Sequence, residues 1–315
     1  MSTPSLFSSI SFPRQRGAAL IMALLIASLA TILATSLIWH ENLWLRGLET
    51  QRDLAQARQL ALAGIDWSCA ILAEDARTSR YDHLGEPWAT QVPAMPAEGG
   101  EIGGHITDEQ GKLNLNNLVR NGQSSSEDLL IYQKLLSALQ LPPELAATLT
   151  DWLDADDQTR PEGAEDAEYL VAKPPYRAAN RELTDVDNLQ HIRGYTPEII
   201  ERLRPYVTVL PGYNLLNINT ASALVISATL HDFSDADIRQ IITDRDRIPY
   251  LDVDDFRKRL PQADMGARAS TNLIDTRSRY FTVHIQARIG QADTRIQARL
   301  LRVTHWPNIL WQKFE

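Results

Sequence analysis

The feature that most constrains this chain is an uncharged stretch of 22 residues, Ala18 to Trp39, directly preceded by Arg14-Gln15-Arg16-Gly17. A helix of that length reaches about 33 Å, which is enough to cross the hydrocarbon core of a bilayer. Helical geometry is expected there because it pairs the backbone polar groups internally. The arginines before the stretch predict a cytoplasmic N-terminus, so residues from Glu41 onward would lie on the far side of the membrane.

Three interpretations of this stretch compete: a cleaved secretory signal, a plain single-span anchor, and a prepilin-type leader cut between Gly17 and Ala18 that leaves the helix in the mature protein. A secretory signal would need a small-residue exit site, which Ala30–Ala34 offers only weakly. Apolar residues continue beyond Trp39 at spacings of three, four and seven. This period predicts one amphipathic helix of about 60 residues, and such a helix favours the third interpretation.

Composition narrows the possible classes of protein. The formal net charge is -9, and it becomes -11 without Arg14 and Arg16 of the leader. An acidic chain is poorly suited to binding nucleic acid or anionic lipid through bulk electrostatics. Cys69 is the only cysteine, so no intramolecular disulfide can form and an exported domain must be stabilised in another way.

Beyond the long helix, which we expect to end near Arg77, the pattern predicts a mixed α and β fold. Residues 81–100 are rich in proline and glycine and indicate a loop. Residues 101–108 and 112–115 look like two short strands that pair across the turn 108–111. Alternating apolar residues in 280–289 and 294–303 predict a β-hairpin with one buried face.

Helices are expected in between, at 124–139, 145–153, 183–189 and 196–203, and again after a short strand at 206–210 in three segments between 221 and 259. The predicted fold class is therefore α+β: a pilin-like long N-terminal helix packed on an antiparallel sheet, with a large inserted α-helical domain. The expected division is 1–17 leader, 18–39 transmembrane part of the long helix, 40–80 its periplasmic part, 81–114 with 206–315 the pilin-like domain, and 115–205 the inserted α-domain.

The strongest chemical signal is the acidic loop Asp151–Asp166, in which Arg160 is the only basic residue. Crowded carboxylates raise one another's pKa values, and hard cations such as calcium prefer many oxygen ligands. The spacing matches an EF-hand loop only in part, because Thr159 replaces the glycine of the sharp turn and Pro161 is foreign to that loop. Two interpretations remain open from these residues: calcium in a nonstandard loop, or a solvated acidic surface loop.

Catalytic and nucleic-acid motifs are weak. The histidines have no zinc-like spacing, and the sequence has no phosphate loop and no Gly-x-Ser-x-Gly, so we expect no enzyme activity and no small-molecule substrate. Residues 216–222 and the helices after them resemble a helix-hairpin-helix DNA-binding module. Its hairpin, 230–234, lacks glycine and carries an added acid, so we expect it to have lost the phosphate contact.

Several motifs together resemble a known family. They are Arg16–Ile21, Asp108–Asn116, Asp151–Asp157, Gly163–Asp166, Pro174–Asn180, Arg204–Pro211 and Asn217–Ala221. With these residues the chain resembles the type II secretion minor pseudopilin K family over nearly its whole length from Arg16. Other pseudopilins carry glutamate at the fifth mature position, where this chain has Met22, and the lack of that glutamate is typical of the K type. The resemblance implies that no subunit stacks above this one.

The resemblance implies further properties. Prepilin peptidase would cut after Gly17 and methylate the amine of Ala18, in the bacterial inner membrane, with the bulk of the chain periplasmic. The chain would assemble with minor pseudopilins I and J, and with H, on the inner-membrane secretion platform, to cap the pseudopilus that exports folded proteins. It would bind calcium in the α-domain, and the residues that correspond to the ligands are Asp151, Asp154, Asp156, Asp157, Glu165 and Asp166. Two alternatives remain: a membrane-anchored helix-hairpin-helix DNA-binding protein of an uptake system, and a plain membrane-anchored calcium-binding protein.

Overall fold

A computed structural model describes residues 16–97, 99–260 and 272–315. Most of the expected leader, residues 1–15 with Arg14, lies outside the described residues. The helices are α1 Arg16–Thr78, α2 Ser126–Ala138, α3 Leu145–Leu153, α4 Asp166–Tyr169, α5 Pro197–Leu203, α6 Ala223–Thr229, α7 Asp235–Arg247 and α8 Val253–Lys258. The strands are β1 Val92–Ala97, β2 Gly100–Asp108, β3 Leu113–Asn114, β4 Val119–Arg120, β5 Gln123–Ser124, β6 Val207–Thr208, β7 Leu216–Asn217, β8 Ile274–Asp275, β9 Tyr280–Ile289, β10 Ala292–Leu301 and β11 Asn308–Phe314.

The long helix α1 has 63 residues and therefore extends for about 95 Å. Its C-terminal half buries one residue per turn against the sheet, as the predicted period requires: Ala57, Ala61, Ile65, Cys69 and Leu72. Gly64 lies on this buried face, and a Cβ there would come within 2.9 Å of the Ile285 side chain. The glycine weakens the helix locally but allows α1 to approach the sheet closely.

The sheet that supports α1 has five antiparallel strands in the order β1-β2-β9-β10-β11. The predicted hairpin is confirmed as β9 and β10, joined by the turn Gly290-Gln291. Apolar side chains at alternate positions of both strands, such as Val283 and Ala298, are fully buried under α1. Burial of this face is the principal stabilising contribution to the helix-on-sheet unit.

Three local predictions were wrong, and one strand was missed. Residues 112–115 do not pair with 101–108. Instead, β3 pairs in parallel with β6. The chain leaves β2 through a turn that the Asp108 carboxylate caps by accepting a hydrogen bond from the Gln110 N–H at 2.8 Å. The expected loop at 81–100 contains a 3₁₀ turn, Pro87–Ala89, and β1, whose two prolines are tolerated because β1 is an edge strand. The helix expected at 183–189 is a 3₁₀ turn, Val186–His191, and β11 was not predicted at all.

Two helical units lie beside the sheet. The larger one surrounds α2, α3 and α5, and at its centre the hydroxyls of Tyr132 and Tyr195 are 2.8 Å apart. The smaller one contains α6, α7 and α8 and closes on β7 and β8, with Phe256 fully buried. Because the larger unit is built mainly between β3 and β6, it is an insertion into the chain that forms the sheet.

Candidate functional site

The acidic loop connects the end of α3 to the start of α4. Asp151 and Asp154 are fully buried, and Glu165 is 4 % exposed at the N-cap of α4. Asp156 and Asp157 lie on the surface. Of the six residues that correspond to the expected ligands, three are therefore withdrawn from water, which is costly for carboxylates unless a cation compensates them.

Arg160 supplies one such cation. Its guanidinium donates to Asp151 Oδ1 at 2.7 Å and also to Asp154 Oδ2, and its backbone N–H donates to Asp151 Oδ2 at 3.2 Å. We call Asp151, Asp154, Glu165 and Arg160 the Arg160 cluster. Sequence reasoning identified the arginine but not its position between the two buried aspartates.

The compensation within the Arg160 cluster is incomplete. Among the described residues, Asp154 Oδ1 and Glu165 Oε1 are buried and have no hydrogen-bond partner. Burial raises the pKa of Glu165 to about 7, and the nearby carboxylates of Asp151, Asp154, Asp156 and Asp166 act in the same direction. Two orphaned carboxylate oxygens in a site with excess negative charge fit a hard divalent cation with oxygen ligands.

The rest of the loop is organised around these buried groups. A Cβ on Gly163 would overlap Asp151 Oδ2, so only glycine allows the chain to pass so close to that carboxylate. The exposed Asp156 accepts a hydrogen bond from the Gln158 N–H at 2.9 Å, and the half-buried Asp166 accepts one from the Ala178 N–H at 3.0 Å. Asp156 is thus engaged in a local turn and Asp166 in a contact with the segment after α4, where Arg177 also lies 3.3 Å from it, and both act on the buried oxygens through their charge.

A second buried acidic group was missed by sequence reasoning. Carboxylate oxygens of Asp75, Asp82 and Glu86 lie within 4.8 Å of one another, a spacing that could hold a metal ion. Arg302 donates to Asp75 Oδ2 at 2.7 Å and also to Asp82 Oδ1. We call these four residues the Arg302 cluster. No local sequence signal could have revealed it, because Arg302 is 227 residues from Asp75.

The predicted remnant of a DNA-binding hairpin lies between α6 and α7. At the start of α7 the Ser234 N–H donates to Asp237 Oδ2 at 3.0 Å, and the Asp237 N–H donates to Ser234 Oγ at 3.3 Å. This capping box uses backbone donors that a phosphate would otherwise need and places a carboxylate beside them. These two backbone donors are therefore already used within the protein.

The N-terminal part of α1 packs against nothing in the described part of the chain. Gly17, Ala18 and Met22 are exposed, and Met22 is 65 % accessible. Apolar side chains as far as Leu48 are exposed in the same way, and α1 is long and apolar enough to cross a membrane. A helix that is apolar all round is typical of a membrane span or of a helix that packs with other subunits.

The fold and the exposed apolar helix define a class of protein: a pilin-like protein with a helical insertion and an N-terminal helix long and apolar enough to cross a membrane. Residues 111–212 and 216–277 match the two family models described as type II secretion system protein K. The chain is 35 % identical to the type II secretion system protein K of Pseudomonas aeruginosa over 88 % of this chain and 85 % of that protein. It is 28 % identical to the protein K of Aeromonas hydrophila, over 92 % of this chain and 93 % of that protein. The chain therefore belongs to the type II secretion system protein K family, as the sequence motifs predicted.

A solved structure has the same fold. A chain in the crystal structure of the GspK–GspI–GspJ complex from the type 2 secretion system of enterotoxigenic Escherichia coli superposes with a TM-score of 0.73 at 22 % identity. The match covers 85 % of this chain and 99 % of that chain. The predicted fold class, a long N-terminal helix on an antiparallel sheet with a helical insertion, is confirmed. Members of this family are structural components of the secretion system.

Proposed function

We propose that this protein is a minor pseudopilin at the tip of the type II secretion pseudopilus. It assembles with minor pseudopilins I and J, and with H, and it initiates and caps the filament that exports folded proteins. Membership of the protein K family supports the class, and the E. coli complex contains the corresponding three subunits. The role is structural, with no enzyme activity, no nucleic acid and no small-molecule substrate.

The observation that carries this proposal is the continuity of α1. One helix begins in the unpacked apolar segment and runs without interruption into the face that packs on the sheet. Residues 18–39 span the bacterial inner membrane, the arginines before them keep the N-terminus cytoplasmic, and the bulk of the chain is periplasmic. In this division, 1–17 is the leader, 40–80 the periplasmic helix, 81–114 with 206–315 the pilin-like domain and 115–205 the α-domain.

The position at the tip follows from Met22. In the pseudopilin class a glutamate at the fifth mature position pairs with the N-terminal amine of a neighbouring subunit within the lipid, where a charge needs a partner. An apolar side chain at Met22 offers no such partner. This subunit therefore ends the stack of helices and receives no subunit above it.

The test is co-expression of the full-length chain with the I and J minor pseudopilins of the bacterium that encodes it. We expect an equimolar complex after extraction with a mild detergent, and gold-labelled antibody against this chain at one end of isolated pseudopili. Labelling along the whole filament would exclude a tip subunit. Absence of any complex with I and J would contradict the assembly role.

Processing by prepilin peptidase at Gly17 and Ala18 can be tested on the same protein. We expect the mature chain to begin at a methylated Ala18 by mass spectrometry. Gly17→Leu should block cleavage, whereas Gly47→Leu should not, although both glycines have open space where a side chain would begin. A mature chain that keeps Met1, or one cut near Ala34, would contradict the leader and favour a plain anchor or a secretory signal.

We also infer that the acidic loop binds calcium. The orphaned oxygens Asp154 Oδ1 and Glu165 Oε1 support this site, and Asp151 supplies a third buried carboxylate. Asp156, Asp157 and Asp166 line the exposed side of the same loop and complete the proposed ligand set. A bound ion supplies the positive charge that Arg160 alone does not, so it orders a loop that no disulfide holds.

A further inference from the structure

A cleft of about 560 Å³ opens beside the C-terminal end of α1. Five separate parts of the chain form its walls: residues 76–82, Gln110, and residues 213–215, 275–279 and 302–305. The cleft is distinct from the Arg160 cluster, and nothing proposed above uses it.

The charge of the cleft is opposite to that of the whole chain. Its lining contains four arginines and two aspartates, Asp82 and Asp275, whereas the complete sequence has 31 basic and 40 acidic residues. A local excess of positive charge in an acidic protein concentrates the field where an anionic group could enter.

Three of the four arginines have no partner among the described residues. Arg302 is held by its carboxylates, but within residues 16–97, 99–260 and 272–315 the guanidinium groups of Arg80, Arg277 and Arg279 make no hydrogen bond or ion pair. All three side chains are exposed. The partial negative charge at the C-terminal end of α1, about half an elementary charge, can account for the placement of Arg80 only. The other two arginines need a different reason.

Hydrogen bonds to buried side chains hold the backbone at Ser278 and Arg279 in place. The Arg279 N–H donates to Gln110 Oε1 at 2.6 Å, and Gln110 Nε2 donates to the Leu215 carbonyl at 3.1 Å. Ser278, between the arginines, donates from its N–H to Asp82 Oδ2 at 2.7 Å and from its hydroxyl to Asp108 Oδ2 at 2.6 Å. A site whose backbone is fixed beforehand loses less conformational entropy when a ligand binds.

The walls also present apolar surface. The side chains of Tyr213 and Val303 are 41 % and 65 % exposed, and Tyr81 lies half-buried next to Arg80. Anionic lipid is excluded as the occupant under the proposed topology, because the helix from residue 39 to residue 78 extends about 58 Å, several Debye lengths beyond the membrane. A polypeptide with spaced carboxylates can reach all three arginines and also cover the tyrosines.

We propose that this arginine cleft, defined by Arg80, Arg277 and Arg279, is the docking site for an acidic segment of a partner polypeptide. The carboxylates of that segment pair with the guanidiniums of these three arginines, and its backbone lies along the exposed Tyr213 and the half-buried Tyr81. This surface is a third contact of the chain, separate from the helix α1 and from the calcium loop.

The test uses the full-length chain in nonionic detergent micelles and a fluorescein-labelled hexaglutamate peptide, with hexaglutamine as the uncharged probe. We expect hexaglutamate to bind, with an affinity that falls as the salt concentration rises. The triple variant R80Q/R277Q/R279Q should weaken binding by about tenfold or more. The control R181Q/R239Q/R295Q changes the net charge equally at three exposed arginines outside the cleft, whose guanidiniums have no partner in the described part of the chain, and should weaken binding by less than about twofold.

Three results would overturn the proposal. Equal losses in the two triple variants would mean that only net charge matters. Hexaglutamine binding as tightly as hexaglutamate would mean that the carboxylates are not recognised. Complete displacement of the peptide by a few millimolar inorganic phosphate, about the dissociation constant of a weak anion site, would assign the cleft to small anions. None of these outcomes depends on assembly with I and J, so they test the cleft separately from the proposed function.

Discussion

The Arg302 cluster and the Arg160 cluster have the same composition, one arginine among three buried carboxylates, but they differ in how completely their polar atoms are bonded. In the Arg302 cluster, the arginine also donates to the carbonyls of Leu72 and Ser278 at 3.3 and 3.1 Å. Glu86 accepts from the Trp88 indole N–H at 2.7 Å and from the His83 N–H at 2.9 Å. In the Arg160 cluster two carboxylate oxygens have no partner among the described residues.

The difference teaches that proximity of carboxylates alone is a poor indicator of a metal site. The Arg302 cluster has the closer oxygen atoms, yet none of its buried carboxylate oxygens lacks a hydrogen-bond partner among the described residues, and it connects the end of α1 to the residue after β10. The Arg160 cluster carries the same charge but leaves two buried carboxylate oxygens unpartnered there. Its arginine is also less confined, since the Arg160 side chain is 25 % exposed and that of Arg302 is 7 % exposed. A loop arginine with access to solvent can move aside for an ion, and a buried one cannot do so easily.

Removing the arginine of the Arg302 cluster should have the largest effect on stability. We expect Arg302→Leu to lower the free energy of unfolding by about 3–5 kcal/mol, because Asp75 and Asp82 would be left buried without a counterion. Urea unfolding of the full-length chain in detergent measures this loss. Arg295→Leu, at an exposed position on β10, the strand that ends just before Arg302, is the control and should change the free energy by less than about 0.5 kcal/mol. A small effect of Arg302→Leu would contradict the structural role of this cluster.

Calcium should stabilise the chain through the Arg160 cluster only. At a concentration about 100 times its dissociation constant, calcium should raise the free energy of unfolding by about 3 kcal/mol relative to chelator. Glu165→Gln should remove this response and stabilise the calcium-free chain, because it removes a charge that burial and four carboxylates oppose.

The matched variant Glu86→Gln, in the Arg302 cluster, should keep the full calcium response. If Glu86→Gln abolished the response and Glu165→Gln preserved it, the ion would belong to the Arg302 cluster. If calcium produced no shift in melting temperature and elemental analysis found no metal, the calcium proposal would fail altogether.

A glycine substitution tests the geometry of the Arg160 cluster without changing its charge. We expect Gly163→Ala to weaken calcium binding by about tenfold, because the added methyl group displaces the Asp151 carboxylate from its position beside Arg160. Isothermal titration calorimetry measures the affinity. Gly47→Ala, where nothing lies within 4 Å, is the control and should leave it unchanged. An unchanged affinity in Gly163→Ala would show that Asp151 does not need its present position to bind the ion.

Much of the fold could be predicted from the sequence because its signals are local. The helix α1 follows from its charge-free segment and from the period of Ala61, Ile65 and Cys69, and the β9–β10 hairpin follows from strict alternation. The β1 strand was missed because Pro93 and Pro96 indicate a loop, and only its place at the edge of the sheet makes them acceptable.

The candidate site divides in the same way. The six proposed ligands at 151–166 could be identified because they lie close together in the sequence, whereas the division into buried and exposed members depends on how α3 and α4 pack. The Arg302 cluster and the arginine cleft could not be predicted, since each combines residues from distant parts of the chain. The direction in which Arg160 points is likewise a property of the folded loop alone.

The smallest expected effect concerns His284, a half-buried histidine on the sheet. His105 and His284 face each other across β2 and β9 with their rings stacked at 4.6 Å. Burial lowers the pKa of His284 to about 4, and the neighbouring His105 acts in the same direction, while Glu109 opposes the shift. The unfolded chain therefore binds a proton more readily than the folded chain between about pH 6.5 and pH 4.

Stability should consequently fall as the pH drops through that window, by about 1 kcal/mol for this half-buried ring. His284→Gln should remove that part of the pH dependence in urea unfolding at pH 7 and about pH 4.5, and the exposed His305→Gln should not. An identical slope in wild type and His284→Gln would show that stacking tolerates the imidazolium. That outcome would mean that partial burial on the sheet does little to disfavour a charge. The calcium site proposed for the Arg160 cluster would then be supported by its two unpartnered oxygens and not by burial alone.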